Sequence, residues 1–521
     1  MTLFRAMATV AGLTGLSRIA GFVRDILTAG ILGAGPVADA FFVALKLPNF
    51  FRRVTAEGAF SVSFVPLYSA ALETEGREEA DRFASRAFSV MLVCLSLFTI
   101  AAIAAMPFVI HVIAPGFAGD ETRFSLAVTL SRITFPYLLM MSLAALLGGV
   151  LNAHERFAPF AAAPIFFNLC LIAALLLSDY ARTAGHALAW GVFAAGIVQF
   201  SLLFFSIRRT GIRLRLLRPR FDPKIKRLLA LMGPGVIGAG VMHINLFADL
   251  IIASFLETGS ISYLYYADRL NQLPLGTIGI AVGTALLPML SKVMAAQDTA
   301  RARDLFNRAL EMCLLLGLPA ATGLLLTALP IIVTLFEHGS FTKQDSLMTM
   351  TVLTAYAAGL PAYVAVKVFS TAYWARQDTA TPVKIAVVAT LANIVGSLYL
   401  AFVLDLGGVG IAASTAAVGW VQIALLGFFL REREETRLDR RLTVNAFKIV
   451  LACVFMAAYL MVAKTFFVSA YIPERSVFSF QVGGLVLLVG GGALIYGMAL
   501  VLMGVVRRED IMRLLRRVRG R

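Results

Sequence analysis

The chain has 521 residues, of which 59% are hydrophobic and 15% charged, a balance too apolar for a soluble domain of this length. Its net charge of +16 would point a soluble protein towards nucleic acid, but the basic stretches lack the interleaved aromatics of a single-strand binder. Cys94, Cys170, Cys313 and Cys453 lie in apolar stretches without paired spacing, which excludes a disulfide framework and a cysteine metal centre.

In chain order, apolar segments long enough to span a bilayer occur at about 7–33, 36–53, 85–113, 124–150, 158–179, 184–207, 226–255, 262–290, 310–336, 345–375, 382–404, 408–430, 444–468 and 479–506, which makes about fourteen. The fold class is therefore an all-α polytopic membrane protein. The first segment continues through Arg18 as one helix and is expected to be retained rather than cleaved as a signal peptide. With the N-terminus inside, the outer loops hold only Arg123, Arg182, Lys343, Lys464 and Arg475 of the 46 Lys and Arg. That bias predicts a multi-pass protein with both termini cytoplasmic. The basic loop 208–227 and the tail RREDIMRLLRRVRGR are expected to rest on anionic headgroups.

The sequence repeats itself at an offset of about 222 to 225 residues. VPLYSAALETEGREEADRFASRAF matches LPMLSKVMAAQDTARARDLFNRAL, with Pro66 against Pro288 and Arg86 against Arg308, and the spacing of Asp25 to Gly35 recurs as Asp249 to Gly259. Each copy holds six spans, an even number, so the copies share one orientation and are expected as two pseudo-twofold lobes around a central cavity, with two C-terminal helices outside the repeat. The predicted domains are 1–220, 221–432 and 433–521.

The charge inside the spans is concentrated in the first two: Arg18, Arg24, Asp25, Asp39, Lys46, Arg52, Arg53 and Glu57. Each would cost about 2.5 to 3.5 kcal/mol at a bilayer centre, so the set must line water, protein or a bound polar group. At 100° per residue Thr14, Ser17, Arg18, Gly21, Arg24, Asp25 and Thr28 fall within an arc of about 120°, with apolar residues covering the rest. In the second span Asp39, Lys46 and Asn49 share a similar arc, and Pro48, which removes a backbone donor, is expected to bend the chain before Arg52 and Arg53. Five cations against three anions suit an anion such as a diphosphate, and arginine's planar fork suits phosphate oxygens. The plainer alternative is internal pairing, such as Arg24 with Asp25 or Arg53 with Glu57. The second copy keeps Asp249, Asp268, Arg269 and Lys367. There, Arg269 is either a cavity cation or the partner of Asp268.

Several chemistries lack their groups. The histidines have no zinc-like spacing, and no phosphate-binding Gly-rich loop is present, so neither a zinc site nor an ATPase is expected. Asp249 with Asn393 would be the nucleus of a cation site, but a hydrogen bond between helices is the better reading of the pair. No cofactor is expected, and transport is expected to couple to the membrane potential or an ion gradient.

The runs SRIAGFVRD and GAGPVADAFFVALKLPNFFRRVTAEGAFSVSFVP, with a second dense patch YYADRLNQLPLGTIGIAVGTALLPMLS, closely resemble the MurJ (MviN) family, the lipid II flippases of bacterial cell-wall synthesis within the MOP exporter superfamily. The resemblance implies movement of an undecaprenyl-diphosphate-linked disaccharide-pentapeptide to the outer leaflet of the bacterial inner membrane, with no catalytic residues. It implies substrate contacts from Ser17, Arg18, Arg24, Asn49, Arg52 and Arg269. Cavity polarity or gating would come from Asp25, Asp39, Lys46, Arg53 and Glu57. It also implies a groove for the isoprenoid tail at the last two helices, and lipid II, membrane lipids and cell-wall synthesis proteins as partners, not nucleic acid. The alternatives are a flippase for another polyprenyl-diphosphate-linked oligosaccharide or a drug exporter of the same superfamily. The arginine excess disfavours the exporter. A structural scaffold would leave the intramembrane charge unexplained, and an enzyme on polyprenyl phosphates lacks catalytic groups.

Overall fold

A computed structural model describes residues 3–52, 60–212, 214–471 and 478–506, without the side chains of 3–7, 61–62, 234–243, 280–284, 467–471 and 478–480. Every described element is helical: α1 (Leu3–Leu32), α2 (Pro36–Phe51), α3 (Ser61–Thr74), α4 (Arg77–Ala104), α5 (Met106–Ile113), α6 (Glu121–Thr134), α7 (Tyr137–Ala153), α8 (Ala158–Leu176), α9 (Ala184–Arg209), α10 (Pro223–Ser254), α11 (Ser260–Ala295), α12 (Thr299–Phe336), α13 (Lys343–Ala375), α14 (Ala380–Leu398), α15 (Gly407–Leu430), α16 (Arg440–Tyr471) and α17 (Phe478–Leu502), with short 3-10 and π turns between. Among the described residues, ten helices are long and apolar enough to cross a membrane, and they coincide with ten of the fourteen expected spans. The other four open the two copies of the repeat. Here α1 carries Arg18, Arg24 and Asp25, α2 has 16 residues, and α10 and α11 each contain side chains outside the description.

The chain forms two compact units, 1–262 with 339–341, and 263–338 with 342–521. In the first, α1 lies along α8, α8 along α9, α2 against α6 and α9, and α7 against α3, α4 and α9. Close approach needs glycine at one point: a Cβ on Gly116 would stand 2.3 Å from the Ser254 carbonyl oxygen, and the glycine's N–H instead donates to Ser254 Oγ at 3.0 Å. In the second unit α13 packs on α12 and α15, around a core that includes Phe306, Leu360, Val364, Val368 and Leu426. The α16–α17 pair closes on α12 through Met456, Leu460 and Leu488, and Tyr496 donates to the Leu315 carbonyl at 2.6 Å.

The repeat is visible in backbone detail. The starts of α4, α6 and α8 and those of α12, α13 and α14 differ by 222 residues. The break between α4 and α5 at Ala105 recurs as a non-helical Thr327 inside α12, with a proline two or three residues on in each case (Pro107, Pro330). Glu155 and Gln377 both take a positive φ, +58° and +62°, after α7 and α13. The next N–H then reaches back, Arg156 to the Leu151 carbonyl and Asp378 to that of Tyr373, closing both helices in the same left-handed turn. Asp120 caps α6 and Thr342 caps α13 at matching positions.

Each copy also ties the segment that follows it to its own third span. Ser85 and Ser89 of α4 donate to carbonyls one turn back, so their oxygens remain free to accept the Arg215 and Leu217 N–H groups at 3.1 and 3.0 Å. Arg86 pairs with Asp222, whose carboxylate caps α10. In the second copy Asn307 accepts from the Asp439 N–H and donates to the Arg437 carbonyl, both at 3.0 Å, while Arg308 pairs with Asp439, the cap of α16. The basic 208–227 segment is thus hydrogen-bonded to α4.

Candidate functional site

The polar arc of α1 divides into a buried part and an exposed part. Arg24 and Asp25, 5% and 4% exposed, form an ion pair at 2.6 Å. The second Arg24 nitrogen donates to Asn168 Oδ1 of α8 at 2.9 Å, and the Asn168 amide donates onward to the Ser17 carbonyl at 3.0 Å. Gly21 faces Asn168, where an added Cβ would sit in ordinary contact at 3.4 Å from the amide nitrogen. The arrangement neutralises Arg24 and locks α1 to α8, which is the internal pairing weighed against a free cavity cation. Asn168 is the residue that sequence reasoning missed, and its only signal is a single amide in the apolar run FFNLCL. Less than two turns earlier, Arg18 is exposed, while Leu16, Ile19 and Val23 are exposed on the apolar side.

Within α2, Pro48 cannot donate to the Ala44 carbonyl, and the Thr134 hydroxyl of α6 takes that oxygen at 3.0 Å. The helix therefore continues through Pro48 to Phe51. Asn49 donates to the Leu45 carbonyl at 2.9 Å and accepts from Arg52 Nε at 3.3 Å, so Asn49 and Arg52 act together. Lys46 is half-buried on the same helix. Arg53 and Glu57 lie outside the described residues.

Asp39, 1% exposed, accepts from the Gly259 N–H at 2.7 Å, the Ser262 N–H at 3.0 Å and the Ser262 hydroxyl at 2.6 Å. A carboxylate from α2 thus caps the first turn of α11, where unpaired N–H groups and the positive end of the helix dipole favour an anion. Nearby, Gly33 and Gly339 have φ of +67° and +58°, and the Ser340 N–H donates to the Gly30 carbonyl at 2.7 Å.

In the second unit Arg269 is half-buried with its guanidinium 5.7 Å from the Tyr265 ring centre, a cation–π contact one helical turn away. Asp268 accepts from Gln272. Asp249, in the first unit, accepts from Asn245 at 3.4 Å, and the Asn393 carbonyl in the second accepts from Ser414. Among the described residues no cluster of His, Cys, Asp and Glu could hold a metal ion.

Towards the start of α4 the Tyr68 hydroxyl stands 3.3 Å from Asp81 and 3.0 Å from His154 Nε2. Burial, with Arg77 and Arg156 near, pulls the His154 pKa below its ordinary value, and burial beside Asp81 raises that of Tyr68.

The family model described as Lipid II flippase MurJ matches residues 28–480. A relative from Rhizobium meliloti (strain 1021), "Probable lipid II flippase MurJ", is 43% identical over 468 residues, covering 89% of this chain and 87% of its own. "Lipid II flippase MurJ" of Burkholderia cenocepacia is 36% identical over 442 residues, covering 83% and 84%. Among solved structures, "Lipid II flippase MurJ, inward closed conformation" superposes with a TM-score of 0.76 at 29% identity, over 94% of this chain and 99% of that one. An inward-facing MATE family multidrug transporter of the MOP superfamily reaches 0.69 at 13% identity over 82% and 98%, which shows a shared fold. With its multi-pass helical fold and duplicated six-span plan, the chain belongs to the MurJ lipid II flippase family of transporters.

Proposed function

We propose that this protein moves lipid II from the cytoplasmic to the periplasmic leaflet of the bacterial inner membrane by alternating access through a cationic cavity, with both termini cytoplasmic. Family membership supports the substrate. The observation that carries the chemistry is Arg18, exposed on α1, a helix that Arg24, Asp25 and Asn168 lock to α8 within the next two turns. Contacts to the diphosphate and sugar are assigned to Arg18, Arg24, Arg52, Asn49 and the Ser17 turn of the first unit and to Arg269 of the second, and polarity and closure to Asp25, Asp39 and Lys46. The isoprenoid tail stays in lipid along α16 and α17 while the headgroup crosses.

Cations in the membrane respond to the potential by about 2.3 kcal/mol per charge per 100 mV, so movement of the arginine-bearing helices couples transport to it. The test is leaflet-resolved lipid II in cells depleted of this protein, using a probe that reaches only the outer leaflet. Depletion should make lipid II accumulate out of reach of the probe, and wild type, but not Arg18→Ala or Arg269→Ala, should restore access. Unchanged accessibility would move the substrate to another polyprenyl-diphosphate-linked oligosaccharide.

A further inference from the structure

We propose that Lys367 is a second anion-recognising residue of the transport site, one that holds a carboxylate of the substrate's peptide rather than its diphosphate. This rests on the lipid II reading above. Lys367 lies inside the membrane helix α13, eight residues before its end at Ala375, so about 12 Å of helix separates it from that end. It is exposed, and among the described residues no hydrogen bond or ion pair reaches its ammonium group. A lone cation at such a place is costly and calls for a polar partner.

Its position relative to α11 indicates which partner. The Lys367 stem crosses α11 at Gly279, where a Cβ would stand 3.9 Å from Lys367 Cγ. At 100° per residue Gly279 lies within about 40° of both Asp268 and Gln272, so the lysine lies over the α11 face that carries this hydrogen-bonded acid–amide pair. The face offers a carboxylate and an amide at one level and an ammonium group at another, a set that complements peptide N–H and C=O groups ending in a carboxylate. Ten residues, about 15 Å of rise, separate Gly279 from Arg269, too far for one diphosphate to lie against both. An elongated headgroup with its diphosphate at Arg269 and its peptide along α11 meets both cations.

The experiment compares three ligands on purified full-length protein in nanodiscs: lipid II, the same lipid-linked disaccharide diphosphate without its peptide, and an anionic phospholipid. Lys367→Met should bind lipid II about tenfold more weakly, the loss expected for one charge-assisted contact, and bind the peptide-free lipid as wild type does. Lys367→Arg should recover lipid II binding, and Arg269→Met should weaken both lipid-linked ligands. Unchanged lipid II binding by Lys367→Met overturns the assignment and leaves the lysine an anchor for headgroups. Equal weakening towards both ligands, or a lowered melting temperature that Lys367→Arg does not restore, makes it a general charge or a packing residue and overturns it as well. If wild type binds neither lipid-linked ligand better than the phospholipid, the flippase reading itself fails.

Discussion

Arg86 and Arg308, 222 positions apart, each close on the aspartate that caps the first helix beyond their own copy of the repeat: Asp222 ahead of α10 and Asp439 ahead of α16. The surroundings differ. Arg86 meets one carboxylate and its side chain is 35% exposed, whereas Arg308, at 21%, also meets Asp304 and the buried Glu311. Arg86→Ala should therefore cost less than about 1 kcal/mol and Arg308→Ala about 2 to 3 kcal/mol, because the latter takes from the buried Glu311 its nearer cation and leaves it the longer pair with Arg441 at 3.6 Å. Melting of the purified variants gives the order, and equal losses would mean that Arg441 and Asn445 suffice to hold Glu311.

Arg24 and Asp25 support one another in a nearly sealed site. Arg24→Ala should destabilise the protein by about 3 to 5 kcal/mol by removing the ion-pair partner at 2.6 Å from the buried Asp25, and Arg24→Ala with Asp25→Ala should be less damaging than Arg24→Ala alone. A double-mutant cycle on melting free energies measures the coupling, and additive losses would refute it. Lost transport in Arg24→Ala consequently mixes stability with substrate contact, while exposed Arg18 gives the cleaner readout.

Removing the Asp39 carboxylate leaves two N–H groups and a hydroxyl at the start of α11 without their acceptor. Asp39→Ala should cost about 1 to 3 kcal/mol for each buried donor left unmet and abolish transport, and Ser262→Ala should cost less because both N–H bonds survive. Paired measurements of lipid II flux and melting temperature test this, and an Asp39→Ala protein as stable as Ser262→Ala would show that the donors find other acceptors.

His154 makes stability depend on pH. Its folded-state pKa lies below the ordinary value near 6.5, so the neutral ring is the form the fold prefers. Stability should be full above about pH 6.5 and fall as the pH drops through the depressed pKa, with protonation opposed by burial and by Arg77 and Arg156 and favoured by Asp81. Thermal melts across pH should show this fall in wild type and a shallower one in His154→Gln.

Much of this architecture could be read from residue order, because span length, loop charge and a 222-residue repeat are local or periodic properties. The polar face of α1 was legible for the same reason: seven residues obey one helical period. What the sequence concealed are partners contributed from far away. Nothing near Arg24 announces Asn168, 144 residues on, and Asp39 carries no mark of the α11 turn that it caps. Pro48 reads as a bend because its missing N–H is local, whereas the Thr134 hydroxyl that repairs the loss comes from another helix.

The Asp39 cap also sets a timetable for biogenesis. The ribosome makes this carboxylate 220 residues before the Gly259 amide that receives it, so α2 enters the bilayer long before its acid has a partner. A nascent chain halted after α9 would carry every helix of the first six-span copy and still hold an unsatisfied acid in the membrane. The first unit is complete only when residues 259–262 and then 339–341 have been synthesised, which ties its maturation to translation of the second copy.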